Sequence, residues 1–302
     1  MGFLNFKINR AGSNFFRSLF LFLLFSFFSA HASFAFSRTE IQIKWLGHSC
    51  FLIKARVLTP PRPIPFHRGR FSKSRRGFHF SFRTIYSVLL DPYHRAAGYP
   101  VHKVKANAVV ISHFHFDHDN AGMAPGAEVF DGLKKGGKTW NPMTVKLAPG
   151  IYLKILGGVY HDSVHGKKRG LDSIIILNFY GIRMVHLGDL GTLLSKKIVH
   201  EIGKVDVLMV PVGGVFTING FQAQKVVKEL HPRIVLPIHY RTRYTNKTLL
   251  PIHSAREFLT HNPYPIKKLD TSRLILIPGI LPEKRMVYVL KPLSPNPPYP
   301  IR

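Results

Sequence analysis

A single cysteine, Cys50, in a chain of 302 residues excludes an intrachain disulfide and any metal cluster built on thiolates. An ion held by this chain must therefore be taken by imidazole and carboxylate. Flanked by Ser49 and the apolar Phe51-Leu52-Ile53, Cys50 reads as a small buried side chain rather than a nucleophile. Acids are scarce as well: 15 Asp and Glu stand against 43 Lys and Arg, a net charge of +28 with histidine neutral. Such a field favours anionic partners. Its distribution argues against a specific nucleic-acid interface. Residues 1–32 carry Lys7, Arg10 and Arg17 with no acid, residues 54–83 carry nine Lys or Arg with none, and the rest forms no single basic stripe. Long apolar runs are lacking too. The ten residues 19–28 (LFLFLLFSFF) fall short of the ~20 that span a bilayer. Behind a basic leader and ahead of Ala30-His31-Ala32, they predict a signal peptide over 1–32 and export to the periplasm or medium. Contact with the membrane is then transient. An uncleaved N-terminal anchor and an organelle transit peptide, the latter because no acid precedes Glu40, are the alternatives.

What remains is an ordinary globular mix, 45% hydrophobic and 19% charged, able to bury a core. Residues 41–46 alternate and 50–53 are apolar, which predicts a hairpin turning at Gly47-His48. Residues 55–83 hold Pro60, Pro61, Pro63 and Pro65 followed by a basic run, and read as a disordered insertion in a domain spanning 41–291. Further strands are expected at 86–90, 106–111, 138–145, 151–156, 174–179, 182–186, 205–210 and 234–238. Helices are expected at 220–230, where Phe221, Val226, Val227 and Leu230 recur at helical spacing, and at 254–259. The proline-rich tail, 292–302, is expected to fray.

The chemistry concentrates after the apolar run Ala108-Val109-Val110-Ile111. There SHFHFDHDN (112–120) packs three imidazoles and a carboxylate into six residues at a strand end. Neutral imidazole and carboxylate suit a borderline ion such as zinc. His113 and His115, two apart on extended chain, can turn toward one ion, and Asp117 and His118 toward a second. Partners follow downstream: VHLGD (185–189) ends a strand in Asp189, LPIHY (236–240) ends another in His239, and His161-Asp162 heads a glycine-bounded loop.

In this order, WLGHSCFLI (45–53), LLDPY (89–93), ISHFHFDHDNAG (111–122), HD at 161–162 with GKKRG (166–170), HLGDLG (186–191), DVLMVPVGG (206–214) and LPIHY resemble the metallo-β-lactamase superfamily, in its L-ascorbate-6-phosphate-lactonase-like branch of zinc hydrolases. The resemblance implies an α/β fold, a four-layer αββα sandwich of two mixed sheets with the metals at one edge. It implies two Zn²⁺ ions: one held by His113, His115 and His161, a second by Asp117, His118 and His239, with Asp189 bridging both. His165 and His186 are the alternatives to His161. Asp117 and Asp189 become the catalytic carboxylates around a metal-bridging hydroxide, and Asp91 the acid that fixes a ligand imidazole. The expected reaction is hydrolysis of an ester, lactone or phosphodiester bond in a small, anionic substrate. A basic binder of nucleic acid or acidic membrane, retaining the fold without turnover, is the alternative; its affinity would fall steeply with salt. Against the family pattern, about thirty residues separate FLI from LLDPY, and His94, Asn107 and Phe114 stand where acids are common.

Overall fold

The alternation at 41–46 places Ile41, Ile43 and Trp45 on one face of β1 (Thr39–Gly47), opposite Ala55, Ile53 and Phe51 of β2 (Cys50–Thr59) in antiparallel register. These six side chains enter the main core, while Leu46, Cys50 and Leu52 face the other way into a second cluster. A strand apolar on both faces must be covered on both, which fixes the hairpin inside a layered structure. The computed structural model describes residues 39–59 and 81–295. The leader at 1–32 lies outside the described residues, as do 60–80 and 296–302. Strand β2 continues to Thr59 and β3 (Ser81–Leu90) begins at Ser81, so both ends of the 55–83 segment are strand. At the carboxyl end, Leu293 of the 292–302 tail is buried in the second cluster. Among the described residues no helix is long and apolar enough to cross a membrane.

The chain continues through β4 (Ala108–Ile111), β5 (Glu128–Asp131), β6 (Leu133–Lys134), β7 (Thr139–Trp140), β8 (Met143–Ala148), β9 (Ile151–Tyr160), β10 (Leu171–Phe179), β11 (Ile182–His186), α1 (Lys196–Ile202), β12 (Val207–Pro211), α2 (Gly220–Leu230), β13 (Ile234–Ile238), α3 (Arg256–Thr260), β14 (Ile266–Lys268), β15 (Arg273–Leu276) and β16 (Met286–Val289). Two mixed sheets result, ordered β15-β1-β2-β3-β4-β5 and β14-β16-β13-β12-β11-β10-β9-β8, with β6-β7 a small ribbon apart. Their facing sides share one core, so the expected α/β sandwich of two mixed sheets is the observed fold.

Helix α2 has the bounds that its periodicity predicts. Asn219 and Gln222 form a reciprocal capping box at its start, a device worth about 1 kcal/mol, and Ala223, Val226, Val227 and Leu230 bury its inner stripe. The three α-helices all send side chains into the main core. The outer face of the six-stranded sheet is instead covered by 3-10 turns and loops carrying Tyr93, Ala97, Tyr99, Val104, Met123 and Leu250. The single strand expected at 138–145 is broken in two, because Pro142 has no N–H to donate and Asn141 turns its side-chain amide to the Asp131 carbonyl.

What matters for function is direction. β3, β4 and β5 run parallel, as do β11, β12, β13 and β16. Side chains just beyond the carboxyl ends of parallel strands converge at one edge, the usual place for a site in such sheets.

Candidate metal centre

Five chain segments meet at that edge. The loop after β4 carries His113, His115, Asp117 and His118; His161 follows β9; Asp189 follows β11; His239 follows β13; and the β1–β2 turn supplies His48. All seven residues singled out from the sequence are brought together, with His48 as an eighth, in two groups whose ligand atoms lie within 4.8 Å of one another: His113, His115, His161 and Asp189, and His48, Asp117, His118 and His239. Asp189 reaches both. Its Oδ2 lies 2.8 Å from His161 Nε2, 3.2 Å from His239 Nε2 and 3.8 Å from His113 Nε2, and its Oδ1 lies 3.0 Å from His118 Nε2.

The local chain is shaped to allow this. Gly188 has φ +51°, and a side chain there would overlap the Asp172 carboxylate; Gly191 passes so close to the His161–Asp162 peptide that a Cβ has no room. These two glycines let the chain double back around Asp189. His186, by contrast, donates from Nε2 to the Ser49 carbonyl at 2.8 Å and accepts the Gly188 N–H at Nδ1, so it is committed away from the centre. His165 is exposed and stacks edge-on against Tyr160.

Hydrogen bonding fixes the tautomers. An ionised carboxylate only accepts, so His118 Nδ1–H donates to Asp91 Oδ2 at 2.9 Å, leaving Nε2 bare toward the cluster. The Ser112 hydroxyl donates to the same Oδ2 at 2.7 Å and accepts His113 Nδ1–H at 2.9 Å, which bares His113 Nε2 as well. One buried acid therefore orients an imidazole in each group, directly in one and through Ser112 in the other. His161 turns Nδ1 toward the Arg169 carbonyl at 3.4 Å. Fully buried His113 Nε2, His118 Nε2, His239 Nε2 and Asp189 Oδ1 have no well-formed hydrogen bond, and groups buried in that state call for a partner such as an ion. The donor set fits divalent cations.

Without an ion the imidazoles carry the compensating charge: against the effect of burial, the Asp189, Asp117 and Asp91 carboxylates raise His118 well above its ordinary value, and Asp189 with Asp117 raises His239 to about 9. Burial would raise the Asp189 carboxyl, but the surrounding His118 and His239 imidazoles hold it well below the usual carboxylate range. Burial likewise opposes ionisation of Asp117, and His118, His239 and His48 overcome it. His115 is pushed down to about 4 by burial and by His161. Two participants escaped the sequence reading. His48 is buried and lowered to about 4, chiefly by burial and then by His239, and its Nε2–H donates to Asp117 Oδ2 at 3.0 Å. Asp172 is wholly buried 3.2 Å from His113 Nδ1, and burial followed by the charges of Asp189 and Asp91 raises its carboxyl well above normal. Cys50 is buried, and burial together with Asp91 raises its thiol well above normal, as an inert core residue requires.

Exchanging Asp91 for Asn tests the orienting role. Asn also tolerates the left-handed backbone here, φ +40°, yet with its amide oxygen at the Oδ2 position its NH2 would face the Ser112 N–H that Asp91 Oδ1 now accepts at 2.8 Å, so it cannot keep all three bonds. Metal affinity or turnover is expected to fall about 10–100-fold with little change in far-UV circular dichroism. Unchanged affinity and rate would leave Asp91 as a turn residue only.

A model of the beta-lactamase superfamily domain matches residues 78–239. A UPF0173 metal-dependent hydrolase of Pyrobaculum calidifontis is 26% identical over 224 residues, covering 67% of this chain and 85% of that protein. One from Natranaerobius thermophilus is 25% identical over 173 residues, covering 51% and 76%. Among solved structures, a Thermotoga maritima protein described as a candidate Zn-dependent hydrolase of the metallo-beta-lactamase superfamily superposes with a TM-score of 0.54 at 24% identity, over 83% of this chain and 98% of that one. With two His and Asp clusters joined at Asp189 on this fold, the chain belongs to the metallo-β-lactamase superfamily and is a metal-dependent hydrolase.

Proposed function

We propose that the chain uses two zinc ions to hydrolyse an ester, lactone or phosphodiester bond of a small anionic substrate. The observation that carries this reading is the Asp189 carboxylate, which lies within 2.8–3.8 Å of imidazoles from both clusters. His113, His115 and His161 would hold one ion, Asp117, His118 and His239 the other, and Asp189 both. Such a pair supplies an acidified water and a Lewis-acid pull on the scissile oxygen. The remaining work falls to side chains. Asp117, steadied by the His48 Nε2–H, faces the cavity above the clusters and can take the proton of an attacking water at a carboxylate oxygen. Phe114, Phe116, Phe216 and Leu249 line the same cavity and keep bulk water from the reacting bond. A donor set of imidazole and carboxylate without thiolate suits zinc, though iron(II) and manganese(II) compete for such sites.

The test is elemental analysis of the purified chain, then a screen of 4-nitrophenyl esters, γ- and δ-lactones and bis(4-nitrophenyl) phosphate with and without 1,10-phenanthroline. Two equivalents of zinc and chelator-sensitive turnover of one class are expected. Turnover that survives chelation, or full metal loading with no turnover of any class, counts against the reading.

A further inference from the structure

The cavity above the clusters, about 370 Å³, has a composition that says more about its ligand than the metal set does. Its floor is His115, Asp117, His161 and Asp189; its walls are Phe114, Phe116, Phe216, Leu249 and Leu250; its one cation is Arg169. Phe114, Phe116 and Leu249 remain more than a third exposed around the opening, an apolar rim with no covering side chain among the described residues. The Arg169 guanidinium sits 4.8 Å from the Phe216 ring centroid, and no described carboxylate pairs with it. A guanidinium held over an aromatic ring keeps N–H groups free for an oxyanion, which it grips in a two-pronged geometry that lysine cannot copy.

The loop bearing Arg169 is also built in advance. The Asp162 carboxylate accepts the backbone N–H groups of Val164, Gly166, Lys168 and Arg169 at 2.7–3.0 Å, and the Arg169 carbonyl faces His161 Nδ1. Arg169 is thus tied to a ligand of the first cluster through one rigid turn. A positioned, unpaired guanidinium at the edge of an apolar cleft is preorganised for one end of a ligand whose other end reaches the floor.

Resting on the hydrolase reading above, we propose that Arg169 is the specificity-determining residue of this cavity: it binds a carboxylate or phosphate group distal to the scissile bond, with Phe114, Phe116 and Phe216 holding the apolar segment between. The substrate class is then an amphiphilic ester or lactone with a remote anionic end.

Calorimetric binding to the zinc-loaded full chain tests this without relying on turnover. The probes are monohydroxamates of dicarboxylic acids from five to eight carbons, each paired with the uncharged alkyl hydroxamate of equal length. The hydroxamate seats on the metals in both series, so only the far end differs. In the wild type one chain length should show about 10–100-fold tighter binding for the carboxylate member. R169Q should erase that preference while alkyl hydroxamates bind as before, R169K should keep part of it, and R169M should match R169Q with an unchanged melting temperature. A series ending in phosphonate ranks the two oxyanions. Binding of both series without preference, or a preference that survives R169Q, overturns the role of Arg169 alone. Failure of every hydroxamate to bind overturns the metal-centre reading and this inference with it.

Discussion

Exchange of Asp189 for Ala is expected to lower kcat/KM on any substrate found by about 1000-fold or more, roughly 4 kcal/mol of lost transition-state stabilisation, and to cut bound metal from two equivalents to one or fewer. The expectation follows from position. Asp189 is the carboxylate that approaches His161, His239, His118 and His113 together, and it is buried with them. Without it each cluster loses a donor, and imidazoles that shared one negative charge face each other across a void. Asp189→Asn is the more discriminating variant, since it keeps the shape and removes the charge. Two tightly held ions and near-normal turnover in the Asn variant would show that the carboxylate does not join the clusters.

Removing the metal should be the second large effect, and it reads stability as well as rate. In the ion-free chain, the ligand imidazoles and the Asp189 and Asp117 carboxylates stay buried at one sheet edge, several of their atoms without a hydrogen-bond partner. An ion that binds the folded state at 100 to 1000 times its dissociation constant stabilises by about 2.7–4.1 kcal/mol, which for a domain of this size is a melting shift of about 5–15 °C. Dialysis against 1,10-phenanthroline should therefore lower the melting temperature by that amount and bring hydrolysis to background. Two equivalents of Zn²⁺ should restore both. A melting temperature indifferent to zinc would mean that the clusters are satisfied without an ion.

The centre was legible where its ligands follow apolar strands that the pattern reveals. SHFHFDHD comes straight after β4, and Asp189 and His239 follow β11 and β13, whose buried runs mark the strand ends. His48 was hidden because it occupies a hairpin turn, φ +51°, where a polar residue is ordinary; only the fold carries that turn over to Asp117. Asp172 opens a strand of apolar residues and reads as a solvated end. It is the Gly188 turn, packed onto its carboxylate, that buries it beside His113. In the fold, α2 was readable from its periodicity and cap, and β10 from its unbroken apolar run. Helix α1, seven residues with two buried side chains, is too short to show a period. The edge strand β14 is exposed throughout and β15, only four residues long, buries Leu276 alone; pairing with β16 and β1 makes them strands.

Anomalous diffraction at the zinc edge from crystals of the zinc-loaded chain tests the shared centre most directly. Two peaks are expected on either side of Asp189, one among His113, His115 and His161 and one among Asp117, His118 and His239. A single peak with Asp189 turned away from it, or peaks that avoid these side chains, would contradict a paired-ion centre.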